Sequence, residues 1–128
     1  MICKSFKDKE KMRQAGRSAA TILDKLCSLV KPGMSTLEID LAGGDLMKEF
    51  GVKSACKGYR SGNRIFPSFT CLSVNQEVVH GIGVKNRILQ SGDVISVDVC
   101  IRENGMIGDN CRTCLLYTSP SPRDRIAS

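Results

Sequence analysis

The sequence predicts an α+β fold, two helices followed by antiparallel strands. Three observations carry this reading. Residues 7 to about 30 place apolar side chains at helical spacing. Ser35 stands three residues before Glu38, the spacing of a capping box that opens a second helix. Residues 94–112 form two extended arms joined by Asn104-Gly105, the strongest short hairpin signal. The chain has 128 residues, enough for one modest domain with a single core.

In the first helix, Met12, Ala15, Gly16, Ala19, Ala20, Leu23, Leu26, Leu29 and Val30 keep the i, i+3, i+4 spacing of an amphipathic face. Small residues at 15, 16, 19 and 20 let another element pack close. Pro32-Gly33 ends this helix. The second runs to about Phe50, with Gly51 suited to its left-handed C-terminal position. Gly43-Gly44 inside it costs about 1 kcal/mol of intrinsic propensity per glycine. The texture then changes. Ser54-Ala55-Cys56 is a short extended piece, residues 57–68 a loop rich in Gly, Arg and Asn, and residues 69–74 a strand turning at Asn75-Gln76. Val78-Val79 leads into His80-Gly81 and a glycine-containing loop, and residues 89–92 deliver the chain to the hairpin.

The hairpin carries the chemistry. A two-residue turn at Asn104-Gly105 pairs Glu103 with Met106 and Cys100 with Asp109. Asp98 is two residues from Cys100, so Asp98 and Asp109 share one face as diagonal neighbours, roughly 7–8 Å apart at the backbone. Ile95, Val97, Val99 and Ile101 form the apolar face, leaving Ser96, Asp98 and Cys100 on the polar one. Two readings balance evenly on these residues alone. A solvated sheet face is the commoner setting for aspartates. A hard-cation site is the alternative, because ionised carboxylates only accept and attract divalent metals.

Composition narrows the classes. Charged residues are 25% and apolar residues 41%, a globular balance. Net charge is +6, but the basic residues are scattered, which gives a soluble basic surface and only mild support for RNA or another polyanion. No apolar run reaches membrane-spanning length, and the N-terminus lacks a secretory pattern. Seven cysteines, an odd number lying mostly in apolar segments, suggest reduced thiols of a cytoplasmic protein.

Several segments together resemble the type I methionine aminopeptidases. They are residues 10–16 (EKMRQAG), 30–36 (VKPGMST), 54–59 (SACKGY), 73–81 (SVNQEVVHG), Gly92-Asp93-Val94, Asp98 and Gly108-Asp109-Asn110, running in family order as far as Thr113. The resemblance implies the N-terminal half of a pita-bread fold and removal of the initiator methionine from nascent chains. It implies that Asp98 and Asp109 are two of five ligands to a pair of divalent ions (Co, Mn, Fe or Zn), Asp98 binding one ion and Asp109 bridging both. Such a pair lowers the pKa of a bridging water and clamps the transition state of peptide hydrolysis. His80 matches a substrate-contacting histidine; taken alone, a loop or core histidine is the blander reading. Cys56, Tyr59 and Phe66 resemble the walls of the methionine pocket, where sulfur and aromatic surface suit a thioether. Residues 60–65, just before Phe66, make a longer loop than the family pattern. The expected partners are a nascent polypeptide N-terminus and proximity to the ribosome, with no membrane, no specific nucleic acid and a monomeric parent.

The resemblance ends at Thr113. Residues 114–128 carry Pro120 and Pro122 without periodicity, and are expected to be disordered. The run CLLYTSPSPRD resembles the translation of a transposase-end sequencing adapter, so the expectation is a domain at 1–113 and a non-native tail at 114–128. Cys111 and Cys114 have the spacing of a CxxC pair, but they have no second pair to join and one of them falls in that tail. The family's remaining ligands, one histidine and two glutamates, have no counterpart here, and the chain by itself is expected to be inactive. Two further readings stand beside the first: an X-Pro peptidase of the same fold, and a non-catalytic pita-bread module binding RNA or the ribosome. The Cys56–Tyr59 pocket favours methionine, and retention of Asp98, Asp109 and His80 disfavours the non-catalytic module.

Overall fold

The computed structural model describes residues 5–58, 60–65, 67–75, 83 and 87–116. Helix α1 spans Phe6–Leu29 and helix α2 spans Thr36–Glu49. Ser5 caps α1 by accepting from the Asp8 N–H at 3.1 Å. The capping box of α2 is complete: Ser35 Oγ accepts from Glu38 N–H at 3.1 Å, and Glu38 Oε1 accepts from Ser35 N–H at 3.2 Å. Six strands follow: β1 Lys53–Ser54, β2 Arg60–Ser61, β3 Arg64–Ile65, β4 Cys71–Val74, β5 Val94–Glu103 and β6 Met106–Leu115. The α+β order read from the sequence is the observed order.

Strand β5 organises the main sheet. Along one edge it pairs antiparallel with β6 over its whole length. The other edge is shared end to end by β4, opposite Ile95 to Asp98, and β1, opposite Ile101 and Arg102. Asn104 (φ 52) and Gly105 (φ 78) both occupy the left-handed region, as a two-residue primed turn requires. Glu103 therefore faces Met106, and Cys100 faces Asp109.

The two helices cover one face of this sheet. Ala15, Ala19, Ile22, Leu23 and Leu26 of α1 are buried with Ile95, Val97, Val99 and Ile101 of β5 and with Ile39 and Met47 of α2. Each large side chain so buried contributes roughly 1.5–3 kcal/mol. Gly108 brings β6 close beneath α1, since a Cβ there would lie 2.2 Å from the Ala15 carbonyl oxygen. The far end of the hairpin is pinned by Ser18, which donates to Glu103 Oε1 at 2.7 Å, and Arg112 pairs with Asp24 of α1.

The structure revises four expectations. Met12 and Leu29 are exposed, whereas Ile22, outside the expected face, is fully buried, because the sheet meets α1 at a slightly rotated stripe. The expected loop at 57–68 contains a small hairpin, β2 with β3. The strand expected from residue 69 begins at Cys71, because Asp40 of α2 takes the N–H groups of Phe69 (3.0 Å) and Thr70 (2.8 Å). Order also persists past Thr113. Cys114 and Leu115 extend β6 opposite Ile95 and Val94, and the buried Leu116 exchanges backbone hydrogen bonds with Gly92 and Asp93. A strand already templated by β5 continues wherever its backbone can pair. The rest of the tail, residues 117–128, lies outside the described residues.

Candidate metal centre

The face of the sheet turned away from the helices carries Ser96, Asp98 and Cys100 from β5, and Asp109, Cys111 and Thr113 from β6. Asp98 faces Cys111 and Asp109 faces Cys100, which makes the two aspartates diagonal neighbours. On the opposite edge Asp98 faces Cys71. Asp98 is half-buried and Asp109 exposed. The register that the Asn104-Gly105 turn predicts is the observed one.

Electrostatics set this pair apart from an ordinary solvated face. The Asp98 carboxyl is pushed up to about 7, first by burial, then by hydrogen bonding to Asp109 and by its charge. Its Oδ1 is buried without a hydrogen-bond partner among the described residues. A buried carboxylate oxygen that lacks a donor and faces a second carboxyl has a geometry that a hard cation relieves. The donor set fits a divalent metal in kind. It falls short in number, since among the described residues no group of three or more His, Cys, Asp or Glu side chains is placed to hold an ion.

Thiols border the carboxylates. Cys56 follows β1 in a turn organised by Ser54, whose Oγ accepts from the N–H groups of Cys56 and Lys57 (both 3.1 Å) and donates to the Phe69 carbonyl at 2.7 Å. Its Sγ lies 3.9 Å from Cys71 Sγ. That contact, in which either sulfur could donate, pushes the Cys56 thiol up and lowers Cys71. Burial raises Cys100, with Asp109 and Asp98 adding to the effect. Sequence reading named Asp98, Asp109 and Cys56 and did not name Cys71 or Asp40, which the fold places beside or behind them. Cys71 reaches the site only through the register of β4 on β5, which no local pattern encodes. Asp40 is buried, and beyond the two N–H groups it accepts from Thr70 Oγ1 at 2.6 Å, fixing the residue before Cys71. Tyr59, Phe66 and His80 lie outside the described residues. A cleft of about 500 Å³ between the end of α2 and Phe69, lined in part by Met47, Ser54 and Lys57, includes neither aspartate.

The chain matches the metallopeptidase family M24 over residues 10–127. It belongs to that family. Methionine aminopeptidase A of Synechocystis sp. is 43% identical over 118 residues, which are 92% of this chain and 45% of that protein. Methionine aminopeptidase of Escherichia coli K12 is 39% identical over 110 residues, 85% of this chain and 40% of that protein. The chain thus spans less than half the length of these curated relatives. Among solved structures, methionine aminopeptidase from Thermotoga maritima superposes with a TM-score of 0.81 at 32% identity, covering 98% of this chain and 49% of that one. Prolidase from Pyrococcus furiosus, at 18% identity and a TM-score of 0.70, shares the fold alone. The M24 chain therefore has the helices and antiparallel strands of the pita-bread fold. No helix among the described residues is long and apolar enough to cross a membrane.

Proposed function

We propose that this M24 chain supplies part of the catalytic domain of a methionine aminopeptidase that removes the initiator methionine from nascent polypeptides in the cytoplasm. The observation that carries the reading is the buried Oδ1 of Asp98, without a partner among the described residues, beside Asp109. It occurs in a chain whose curated relatives are methionine aminopeptidases. Asp98 and Asp109 would hold divalent ions, two in the complete site, drawn from Co, Mn, Fe or Zn. When bound, such ions supply an activated water and polarise the scissile carbonyl. Cys56, with Tyr59 and Phe66, would line the pocket for the methionine side chain, and His80 would contact the substrate near the scissile bond. The complete enzyme would act as a monomer near the ribosome.

Two carboxylates do not hold a metal pair against water, so the 128 residues alone are proposed to hydrolyse nothing measurable. The experiment is methionine release from a short Met-Ala peptide by the complete gene product, with and without Co²⁺ or Mn²⁺, beside the 128-residue chain. Metal-dependent release is expected from the complete protein only. Asp109→Ala should abolish it while leaving the far-UV circular dichroism intact. Release that survives Asp109→Ala, or that persists after chelation, would refute the reading, and preferred cleavage of X-Pro peptides would replace it with the prolidase alternative.

A further inference from the structure

Three cysteines gather where β1 ends and β4 begins. Ala55 N–H donates to the Cys100 carbonyl at 2.9 Å, so the chain leaves the edge of β5 just as it reaches Cys56. Strand β4 joins the same edge with Cys71 opposite Asp98. The two segments thus abut over the middle of β5, and Cys56 and Cys71 bring their sulfurs to 3.9 Å. Both side chains are half-buried and both thiols are reduced. Cys100, two residues along β5 from Asp98, is half-buried, and its carbonyl accepts the Ala55 N–H beside Cys56.

From this placement we infer that Cys56 and Cys71 form an oxidative modification site, which a peroxide converts into a reversible disulfide. The sulfurs must approach by roughly 1.9 Å to reach the bonded distance of about 2.05 Å, a movement that side-chain rotation can supply at the end of a strand and in a turn. The chemistry balances. One thiolate attacks the peroxide, breaking the O–O bond and leaving a sulfenic acid and one water. The second thiol then displaces hydroxide from that sulfur, forming the S–S bond and a second water. Two thiols are oxidised and one peroxide is reduced. A metal-binding role for the same thiols has less support, since no set of three such side chains among the described residues is placed to hold an ion.

The bond would close the segment from Cys56 to Cys71, which contains the β2–β3 hairpin. Both ends of that segment are already anchored on β5, so the bond restricts the unfolded chain while asking little of the folded one. The consequence is a sheet whose carboxylate-bearing face senses oxidant through the neighbouring thiols. This inference does not depend on the aminopeptidase reading.

The test treats the 128-residue chain with stoichiometric hydrogen peroxide, blocks remaining thiols by alkylation and maps the digest by mass spectrometry without reduction. Trypsin cuts after Lys57 and Arg64, which separates the two cysteines. The expected result is a Cys56–Cys71 cross-linked peptide lacking two hydrogens. It should be reversed by dithiothreitol, and the melting temperature should rise by roughly 10 °C. Cys100→Ser should leave the cross-link in place, whereas Cys56→Ser and Cys71→Ser should each remove it and the thermal shift. The inference is overturned if Cys56 and Cys71 stay alkylatable while peroxide is consumed, or if they proceed to sulfinic acid without joining. A dominant link to Cys100, between Cys27 and Cys114, or between two chains would overturn it equally.

Discussion

Replacing Asp98 with Asn removes one charge from the carboxyl pair and nearly preserves its shape. In the folded chain the Asp98 carboxyl titrates near 7, against an ordinary value of 3.8, because burial and then Asp109 disfavour its charged form. For a group raised on folding, the stability it contributes is complete below the unfolded value and is lost as the pH climbs through the folded one. The window therefore runs from about pH 4 to about pH 7. Unscreened, that difference corresponds to about 4 kcal/mol. Asp98 is only half-buried and Asp109 is exposed, so solvent screening leaves about 1–2 kcal/mol. With metal removed, Asp98→Asn should accordingly be about 1–2 kcal/mol more stable than the parent near pH 8 and equal to it near pH 4. Urea unfolding followed by circular dichroism at several pH values reads this as a shift in midpoint without a change in slope. Mn²⁺ at ten times its Kd should then stabilise the parent by about 1.4 kcal/mol and the variant not at all. An Asp98→Asn chain less stable than the parent near pH 8, or a gap that does not change with pH, would show that the two carboxyls do not oppose each other.

Two further substitutions test the scaffold beneath the pair. Gly108→Ala places a methyl group 2.2 Å from the Ala15 carbonyl oxygen and 2.5 Å from its carbon, both helix backbone. Helix α1 must retreat by about 1 Å, an overpacking cost of about 3 kcal/mol that should lower the melting temperature by roughly 10 °C in a thermal scan. Asp40→Ala strands the Phe69 and Thr70 N–H groups and the Thr70 hydroxyl in a buried site. A loss of about 3–5 kcal/mol in urea unfolding is expected, with faster amide exchange at Thr70.

What the sequence made legible was local. The capping box at Ser35 and Glu38 and the turn at Asn104-Gly105 act within a few residues and appear in the structure as read, and α1 forms as expected with its buried stripe rotated to take in Ile22. The turn mattered most, because period-2 geometry carries its register outward to Asp98 and Asp109. Features that depend on chain segments far apart were not legible. Gly43 and Gly44 looked like weak points of α2, yet they make room for Thr70 and the Phe69 ring. Asp40 carries no local signal in the sequence, and only the arrival of residues 69–70 makes it a buried anchor. Cys71 became a neighbour of Asp98 through strand pairing that spans 27 residues of sequence.

The core, rather than the site, holds the carboxylates in place. Two like charges on adjacent strands would separate if β6 slid by one residue along β5. That slip would turn the Asp109 face of β6 into the core and expel Met106 and the Gly108 contact with α1. A matching slip of β5 against the helices would expose Ile95, Val97, Val99 and Ile101, which are fully buried. At roughly 1.5–3 kcal/mol for each side chain, that second slip alone costs on the order of 10 kcal/mol. The repulsion that the β6 slip would relieve is less than the roughly 1–2 kcal/mol of the whole screened shift, of which burial is the larger part. The helix-side packing therefore outweighs the carboxylate strain several-fold, and the pair is held together by residues on the opposite face of the sheet.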